Sequence, residues 1–256
     1  MSSSATPSTA FSWTPDPVPT WLDALAGRRA LGADGRPLWP VTLREDDVAA
    51  RGLARGAESV ALRPIRLSDE AAWGRLRIDD DERLAPWEAT LPPGTGERRL
   101  DFRGYVRAQH REAVRGTAMP FALEVDGVLA GQVSVGPIAW GSLRSATVGY
   151  RIGGPWEGRG LMSLAVAMTL DHLLSPAVGL HRVEIDVRPE NDRSLAVCRR
   201  LGLREEGERR GLMHIAGAWS DHVAFVLLSE ELTARSQGLV AGLAAEASGD
   251  TGTARR

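Results

Sequence analysis

The stretch from Val148 to Met162 constrains the fold of this chain more than any other. An apolar run ends at Gly153-Gly154-Pro155, two more glycines follow, and a second, strongly apolar run begins at Leu161. This order predicts a strand, a glycine-rich loop and a helix. The first turn of such a helix carries N–H groups without intrahelical acceptors, and the helix dipole adds partial positive charge, which favours a phosphate group there. An ordinary strand-to-helix turn is the alternative.

Length and composition fit one globular domain with additions, since the 256 residues are 43% hydrophobic and 25% charged. The net charge of −2 gives no sign of direct nucleic-acid or membrane binding. Cys198 is the single cysteine, which excludes an internal disulfide and favours a reducing compartment. The first residues do not resemble a signal peptide, and the apolar run 161–174 is too short to span a bilayer. We therefore expect a cytoplasmic protein.

The chain is predicted to have three parts. Residues 1–58 form an N-terminal extension whose Ser/Thr/Pro-rich opening is expected to be disordered. Residues 59–232 form the main domain, and residues 233–256 form a tail with one short helix at 239–247. Three tryptophans of the extension are expected to pack on the main domain or on a partner, because large aromatics bury well: Trp13, Trp21 and Trp39.

The main domain is predicted to be mixed α/β. Strands are expected over residues 60–67, 121–125, 128–135, 144–152, 183–188, 203–214 and 222–228, and helices over 69–78, 101–115, 160–174 and 192–201. Asp126-Gly127 is typical of a tight hairpin, Ser68 of a helix N-cap and Gly202 of a helix C-cap. The helix at 160–174 is apolar on nearly all sides, so we expect it to be buried against the sheet.

This order of elements, with the glycine loop, resembles the GNAT acetyltransferase superfamily, whose acyl-CoA loop reads Gln/Arg-x-x-Gly-x-Gly/Ala. In this frame Gly160 is the key glycine, whereas Glu157 and Met162 depart from the pattern. A closer resemblance, to the RimJ/RimL-like ribosomal-protein N-acetyltransferases, is carried by further motifs: 141–143, 149–153, 156–162, Pro86-Trp87-Glu88, His181-Arg182-Val183, Pro189-Glu190-Asn191, Arg200-Leu201-Gly202 with Glu206-Gly207, and 217–222. The resemblance implies a mostly antiparallel sheet that splays between its fourth and fifth strands and is flanked by helices.

The resemblance also implies a function: acetyl transfer from acetyl-CoA to a primary amine, without a metal, by direct attack in a ternary complex. The first candidate acceptor is the N-terminal α-amine of a ribosomal or other protein. Two alternatives stay open: a small-molecule acetyltransferase acting on an aminoglycoside, polyamine or amino acid, and a CoA-binding ribosome-assembly factor with dispensable catalysis. Association with the ribosome and a monomeric or homodimeric state also stay open.

Cofactor-binding residues follow from the same resemblance. The backbone N–H groups of the loop are expected to bind the CoA diphosphate, and the strand before it to pair with the pantetheine arm. These residues are Glu157, Gly158, Arg159, Gly160, Leu161 and Met162 in the loop, and Tyr150, Arg151 and Ile152 in the strand. Glu157 is expected to contribute only its N–H, because a carboxylate beside phosphate is unfavourable. Asn191 is expected to bind the pantetheine amide, or alternatively to cap the helix after it.

The resemblance also implies two catalytic residues. Asp186 is expected to take the proton of the amine, unless it belongs to a solvated strand face with Glu184 and Arg188. Ser194 is expected to give a proton to the departing thiolate. Cys198 occupies the position of a tyrosine acid in some relatives, but its helical position favours a buried core thiol.

Acceptor-binding residues are predicted in the segment that covers the acceptor site of this family. The acidic run 79–82 together with Glu88 suggests a negative mouth for a cationic N-terminus. A solvated charge run is the alternative. Trp87 is expected to form the floor of the acceptor slot, or else to fill core.

Overall fold

The computed structural model describes residues 13–14, 30–35, 37–95, 100–235 and 237–249. Their strands form a single sheet with the order β1-β2-β3-β4-β5-β6-β7-β9-β8. Neighbouring strands are antiparallel except β6 and β7, which are parallel. The strands are β1 (Trp13–Thr14), β2 (Thr42–Asp46), β3 (Ser59–Pro64), β4 (Met119–Val125), β5 (Val128–Ala139), β6 (Ser145–Ile152), β7 (Arg182–Val187), β8 (Arg204–Ile215) and β9 (Ala218–Leu228).

Helices flank this sheet. They are α1 (Glu70–Asp79), α2 (Asp81–Leu84), α3 (Phe102–Val114), α4 (Leu161–Leu173), α5 (Asp192–Arg200), α6 (Ser229–Ala234) and α7 (Gly238–Ser248), with short 3-10 turns at Leu67–Asp69, Ala85–Trp87 and Gly154–Trp156. In the part of the chain that the structure describes, no helix is both long enough and apolar enough to cross a membrane.

The sheet opens between β6 and β7. These strands pair only where Ser145–Thr147 lie opposite Arg182–Glu184. Beyond that point β6 stays paired with β5 as far as Ile152, and β7 stays paired with β9 as far as Val187. Counted from β3, these are the fourth and fifth strands, so the predicted mixed α/β fold with its splayed sheet is confirmed.

Local sequence signals account for most of the elements. The hairpin between β4 and β5 turns at Asp126 (φ 48°) and Gly127 (φ 79°), both left-handed, as Asp-Gly predicts. All residues of α4 are buried except Asp171, which is half-buried, as expected for a helix that is apolar on all sides. The Ser68 cap was wrong: a 3-10 turn precedes α1, and Asp69 occupies the N-cap position while it pairs with Arg63 at 2.8 Å.

Chain segments outside the predicted main domain share its core. Trp39 is 1% exposed, packs on Phe121 at 5.4 Å between ring centroids, and donates from Nε1 to His110 Nδ1 at 3.2 Å. At the other end, Asp171 accepts hydrogen bonds from the N–H groups of Leu239 and Val240 and so fixes α7 against α4. Strand β2, which adds to the sheet beside β3, was not predicted from the sequence.

Two sequence predictions lie outside the described residues. They are the disorder of the Ser/Thr/Pro-rich opening and the packing of Trp21; of Trp13, only the backbone pairing with Leu43 is described. The domain boundaries at 58/59 and 232/233 stay predictions.

Candidate active site

The gap between β6 and β7 opens into a cleft of about 2120 Å³. This exceeds the roughly 300–1,000 Å³ of an ordinary small-molecule pocket, so the cleft has room for two substrates. The predicted site residues line it with the exception of Arg159. The fold therefore brings together side chains that lie more than 100 positions apart in the sequence.

The glycine loop presents backbone donors to the cleft. Gly158 (φ 68°) and Gly160 (φ 85°) are left-handed, and Gly160 occupies the N-cap of α4 without a side-chain cap. The first helical bond runs from the Leu164 N–H to the Gly160 carbonyl, so the N–H groups before it have no intrahelical acceptor. A Cβ at residue 160 would lie 3.0 Å from Arg200 Nη1, which would have to shift, and the left-handed φ of 85° itself favours glycine.

Glu157 has a different role from the one predicted. Its N–H donates to the Gly154 carbonyl at 3.1 Å and closes the 3-10 turn, instead of facing a ligand. Its carboxylate accepts from Arg83 and, at 2.6 Å, from Arg193 Nη1. We call Arg83, Glu157 and Arg193 the Glu157 clasp. Two guanidinium groups thus compensate the negative charge of Glu157 beside the glycine loop.

The clasp ties the α1–α2 junction to the loop. Arg83 also donates to the Ile152 carbonyl at 2.6 Å and pairs with Asp80 at 3.0 Å. Asp80 in turn accepts from the Gly154 N–H at 3.0 Å, and its hydrogen bond from Arg83 lowers its pKa. The segment that carries Asp80 and Arg83 is therefore held by charge-assisted bonds to backbone groups at the end of β6.

Residues before the predicted main domain hold the loop from its other side. Arg55 donates from Nη2 to the Gly158 carbonyl at 2.5 Å, and its own N–H donates to the Arg159 carbonyl at 2.8 Å. The Arg159 guanidinium lies over the Trp156 ring at 5.4 Å, away from the cleft. Sequence reasoning missed Arg55, because no local pattern links it to a loop 103 residues later.

A tyrosine, a serine and a cysteine meet where β6 faces α5. The Tyr150 hydroxyl lies 2.7 Å from Ser194 Oγ and 3.8 Å from Cys198 Sγ. Burial raises the pKa of Tyr150 well above its usual value and that of Cys198 to about 11, so both stay protonated at neutral pH. Asn191 caps α5 by accepting from the Ser194 N–H at 3.1 Å, which leaves its amide nitrogen for a ligand.

Asp186 lies on β7, where that strand diverges from β6. Its side chain is 7% exposed, and Oδ1 accepts no hydrogen bond although Arg209 Nε lies 3.5 Å away. Burial, reinforced by the charge of Glu184 and opposed by Arg209, raises the pKa of Asp186 to about 6. The alternative of a solvated strand face does not fit, because Glu184 is buried as well and pairs with Arg182.

Of the predicted acidic mouth, only Glu88 lines the cleft. Its carboxylate pairs with Arg77 at 3.1 Å and with Arg151 at 3.3 Å. Residues 79, 81 and 82 are exposed and do not line the cleft. Trp87 is 36% exposed and lies under the Arg188 guanidinium at 5.5 Å, so it forms part of the cleft wall and does not fill core.

Comparison with known proteins gives a consistent result. A model of the acetyltransferase (GNAT) domain matches residues 59–204. The structure of Mycobacterium smegmatis RimJ in complex with CoA-disulfide is 38% identical, with a TM-score of 0.66, and the match covers 75% of this chain and 90% of that one.

Two curated relatives are similar as well. The ribosomal protein uS5-alanine N-acetyltransferase of Escherichia coli is 29% identical over 174 residues, which are 64% of this chain and 86% of that protein. The probable N-acetyltransferase YjcK of Bacillus subtilis is 34% identical over 106 residues, and there the match spans only 58% of the relative.

The Glu157 clasp makes a testable prediction. We expect Glu157→Gln to speed hydrogen exchange at the Gly154 N–H about fivefold, because losing shared charge-assisted bonds of this kind costs about 1 kcal/mol. Amide exchange followed by NMR would measure it. Glu190→Gln is the matched control, since Glu190 is 64% exposed and bonds only to Arg188. Equal exchange in wild type and Glu157→Gln would show that the clasp does not hold the segment.

Proposed function

The chain belongs to the GNAT acetyltransferase family and is an N-acetyltransferase, and we propose that its acceptor is the N-terminal α-amine of a protein, with ribosomal proteins as the first candidates. The observation that carries the acceptor class is the similarity to the Escherichia coli ribosomal protein uS5-alanine N-acetyltransferase over 86% of that protein. The similarity to the Mycobacterium smegmatis RimJ structure, over 90% of that chain, supports the same family of enzymes.

The cleft fits acetyl-CoA as the acetyl donor. The first turn of α4 and the left-handed glycines supply N–H groups for a diphosphate, and the clasp removes the repulsion from Glu157. From Val148 onward, the edge of β6 that faces β7 has no strand partner, so the backbone of Tyr150–Ile152 is available to an extended ligand. The amide nitrogen of Asn191 lines the same cleft.

Acetyl-CoA supplies a thioester whose acetyl group passes to the acceptor amine with release of the thiol. The chain's own residues manage the protons. The Asp186 carboxylate, which lines the cleft, accepts the proton of the amine directly or through water. Ser194 Oγ donates a proton on the leaving-group side, and the Tyr150 hydroxyl at 2.7 Å holds and resupplies it.

Transfer is direct. Cys198 is fully buried and its pKa is raised to about 11, so it is not a nucleophile for a covalent acetyl intermediate. We propose residues 59–232 as the catalytic domain, with the neighbouring segments packed on it. We further propose that the enzyme works in the cytoplasm, associates with ribosomes to reach its acceptor, and does so as a monomer or homodimer.

A thiol-release assay tests this function. With acetyl-CoA and a peptide that begins with Ala or Ser, we expect release of CoA and acetylation of the α-amine by mass spectrometry; the same peptide with a blocked N-terminus is the control. The double variant Asp186→Ala/Ser194→Ala is expected to lose at least about tenfold in rate, since acid–base groups of this kind contribute about 10²–10⁴-fold. The proposal is refuted if none of the peptides with a free N-terminus is acetylated.

Cofactor binding depends on Gly160. We expect Gly160→Ala to weaken coenzyme A binding more than tenfold, because the new Cβ would displace the Arg200 guanidinium beside the phosphate donors. Gly158→Ala carries a similar φ penalty, but its Cβ would meet open space, so it is the matched control. Calorimetric titration with coenzyme A measures both. Equal affinities for the two variants would place the diphosphate elsewhere.

The pH dependence reports on Asp186. Because its carboxylate must be unprotonated to accept a proton, kcat/KM is expected to fall as the pH drops through about 6. Arg209→Gln removes a charge that lowers this pKa and should move the acid limb to higher pH. Glu184→Gln removes a charge that raises it and should move the limb to lower pH. The protonation of the acceptor amine is common to all variants, so an unchanged limb would exclude Asp186 as the base.

A further inference from the structure

One group of charges in the cleft takes no part in the proton transfers above. Glu88 Oε2 lies 3.1 Å from Arg77 Nη2, and Glu88 Oε1 lies 3.3 Å from Arg151 Nη1. Both distances are longer than the roughly 2.7–2.9 Å of a well-formed charge-assisted hydrogen bond. The Glu88 carboxylate is thus shared by two guanidinium groups at long distances. Glu88, Arg77 and Arg151 together carry a net charge of one positive unit.

The charged side chains next to the Ala85–Trp87 turn do not supply the missing anion. Arg83 pairs with Asp80 and Glu157, so both of those carboxylates are occupied. On the other side of the turn, Arg188 pairs with Glu190 at 3.3 Å. The excess positive charge therefore stays with Arg77 and Arg151, which we call the Arg77–Arg151 pair.

Arg151 is held in place for binding. Its guanidinium lies 4.3 Å from the centroid of the Trp73 ring, and Trp73 stacks on Tyr105 at 5.4 Å. The Tyr105 hydroxyl accepts from Gln132 Nε2 at 2.8 Å, which fixes the wall behind the guanidinium. The Arg151 side chain is only 21% exposed, and the bond to Glu88 is its single side-chain hydrogen bond among the described residues. A guanidinium has five N–H donors, so several remain for a ligand.

The electrostatics agree with the geometry. Burial, followed by the positive charge of Arg77, lowers the pKa of Arg151. The charge of Arg151 is therefore incompletely compensated by its surroundings, and an added anion would stabilise it. A planar guanidinium backed by an aromatic ring is well suited to a carboxylate, which it can bind through two parallel hydrogen bonds.

We infer that the Arg77–Arg151 pair binds a carboxylate of the acceptor, and that the enzyme selects protein N-termini with an acidic side chain close to the reactive amine. The inference rests on the proposed function, because it takes the cleft as the acceptor site. The same chemistry is offered by the α-carboxylate of a free amino acid, and the test separates the two sources. A negative mouth would favour N-termini with additional positive charge. The group formed by Glu88, Arg77 and Arg151 has a net positive charge and favours acidic ones.

Paired substrates test the inference on the wild-type enzyme. Peptides that begin with Ala and carry Asp at position 2, 3 or 4 are compared with peptides that carry Asn at the same position. We expect kcat/KM to be at least about tenfold higher for Asp at one of these positions, the size of a single partly desolvated charge-assisted contact. Free alanine and alaninamide form the small-molecule arm, with rates compared per unprotonated amine, because the carboxylate also makes the amine of alanine more basic.

Variants of Arg77 and Glu88 then test whether these residues cause the preference for Asp over Asn. Arg77→Gln is expected to reduce the Asp/Asn ratio of kcat/KM to about threefold or less, since one of the two cations is lost. Glu88→Gln should raise the ratio, because it removes the competing carboxylate. Arg75→Gln, an exposed arginine on the same helix, is the matched control and should leave the ratio unchanged. Ratios are compared within each variant, so a general loss of activity does not obscure the result.

The outcomes separate the two proposals. If Asp and Asn peptides are acetylated equally and alanine is not preferred over alaninamide, the inference is wrong while the proposed function stands. If alanine is preferred but no peptide is acetylated, the carboxylate site is supported and the protein acceptor is wrong. A ratio that falls equally in Arg75→Gln and Arg77→Gln would also overturn the assignment to the Arg77–Arg151 pair.

Discussion

The divergence of β6 from β7 is the constraint on which the rest of the structure depends. In a continuous sheet the backbone groups of two neighbouring strands satisfy each other, but here the pairing stops at Thr147 and Glu184. Each strand is committed to its other neighbour, β6 to β5 and β7 to β9, over its whole length. Beyond Thr147 the edge of β6 that faces β7 has no strand partner, so its backbone groups are available to an extended ligand. The same divergence creates the cleft and brings Asp186 to its margin.

The pairing of charged side chains is the second feature that determines the properties of the cleft. Several charged groups around the cleft form sets with equal numbers of cations and carboxylates: Arg83 and Arg193 with Asp80 and Glu157, and Arg188 with Glu190. Two places are left incomplete. Asp186 has an oxygen without a hydrogen bond, and the Arg77–Arg151 pair has one carboxylate for two cations. Incomplete groups in an otherwise paired cleft are where a substrate contributes most.

Much of the fold and most of the site residues were accessible from the sequence, since their signals are local. The glycine loop, the Asp126-Gly127 hairpin and the apolar helix α4 each follow from a few adjacent residues. Elements without a local signal were missed. Strand β2 has only five residues, and its place in the sheet comes from pairing with β3. Ser68 failed as a cap because Asp69, beside it, is drawn into a buried ion pair with Arg63.

The sequence by itself determined the family, most elements of the main domain and the conformation of the glycine loop, because backbone conformation at glycines and the periodicity of apolar residues act over a few positions. Only the tertiary structure decided what each functional side chain touches. Tyr150 meets Ser194 across 44 positions, Arg83 meets Glu157 across 74, and Arg151 meets Glu88 across 63. The charge and protonation of a site depend on burial and on such distant partners, and neither is encoded in a local pattern. Where the sequence predicted a negative mouth, the cleft therefore carries a net positive charge around Glu88, from the arginines of α1 and β6.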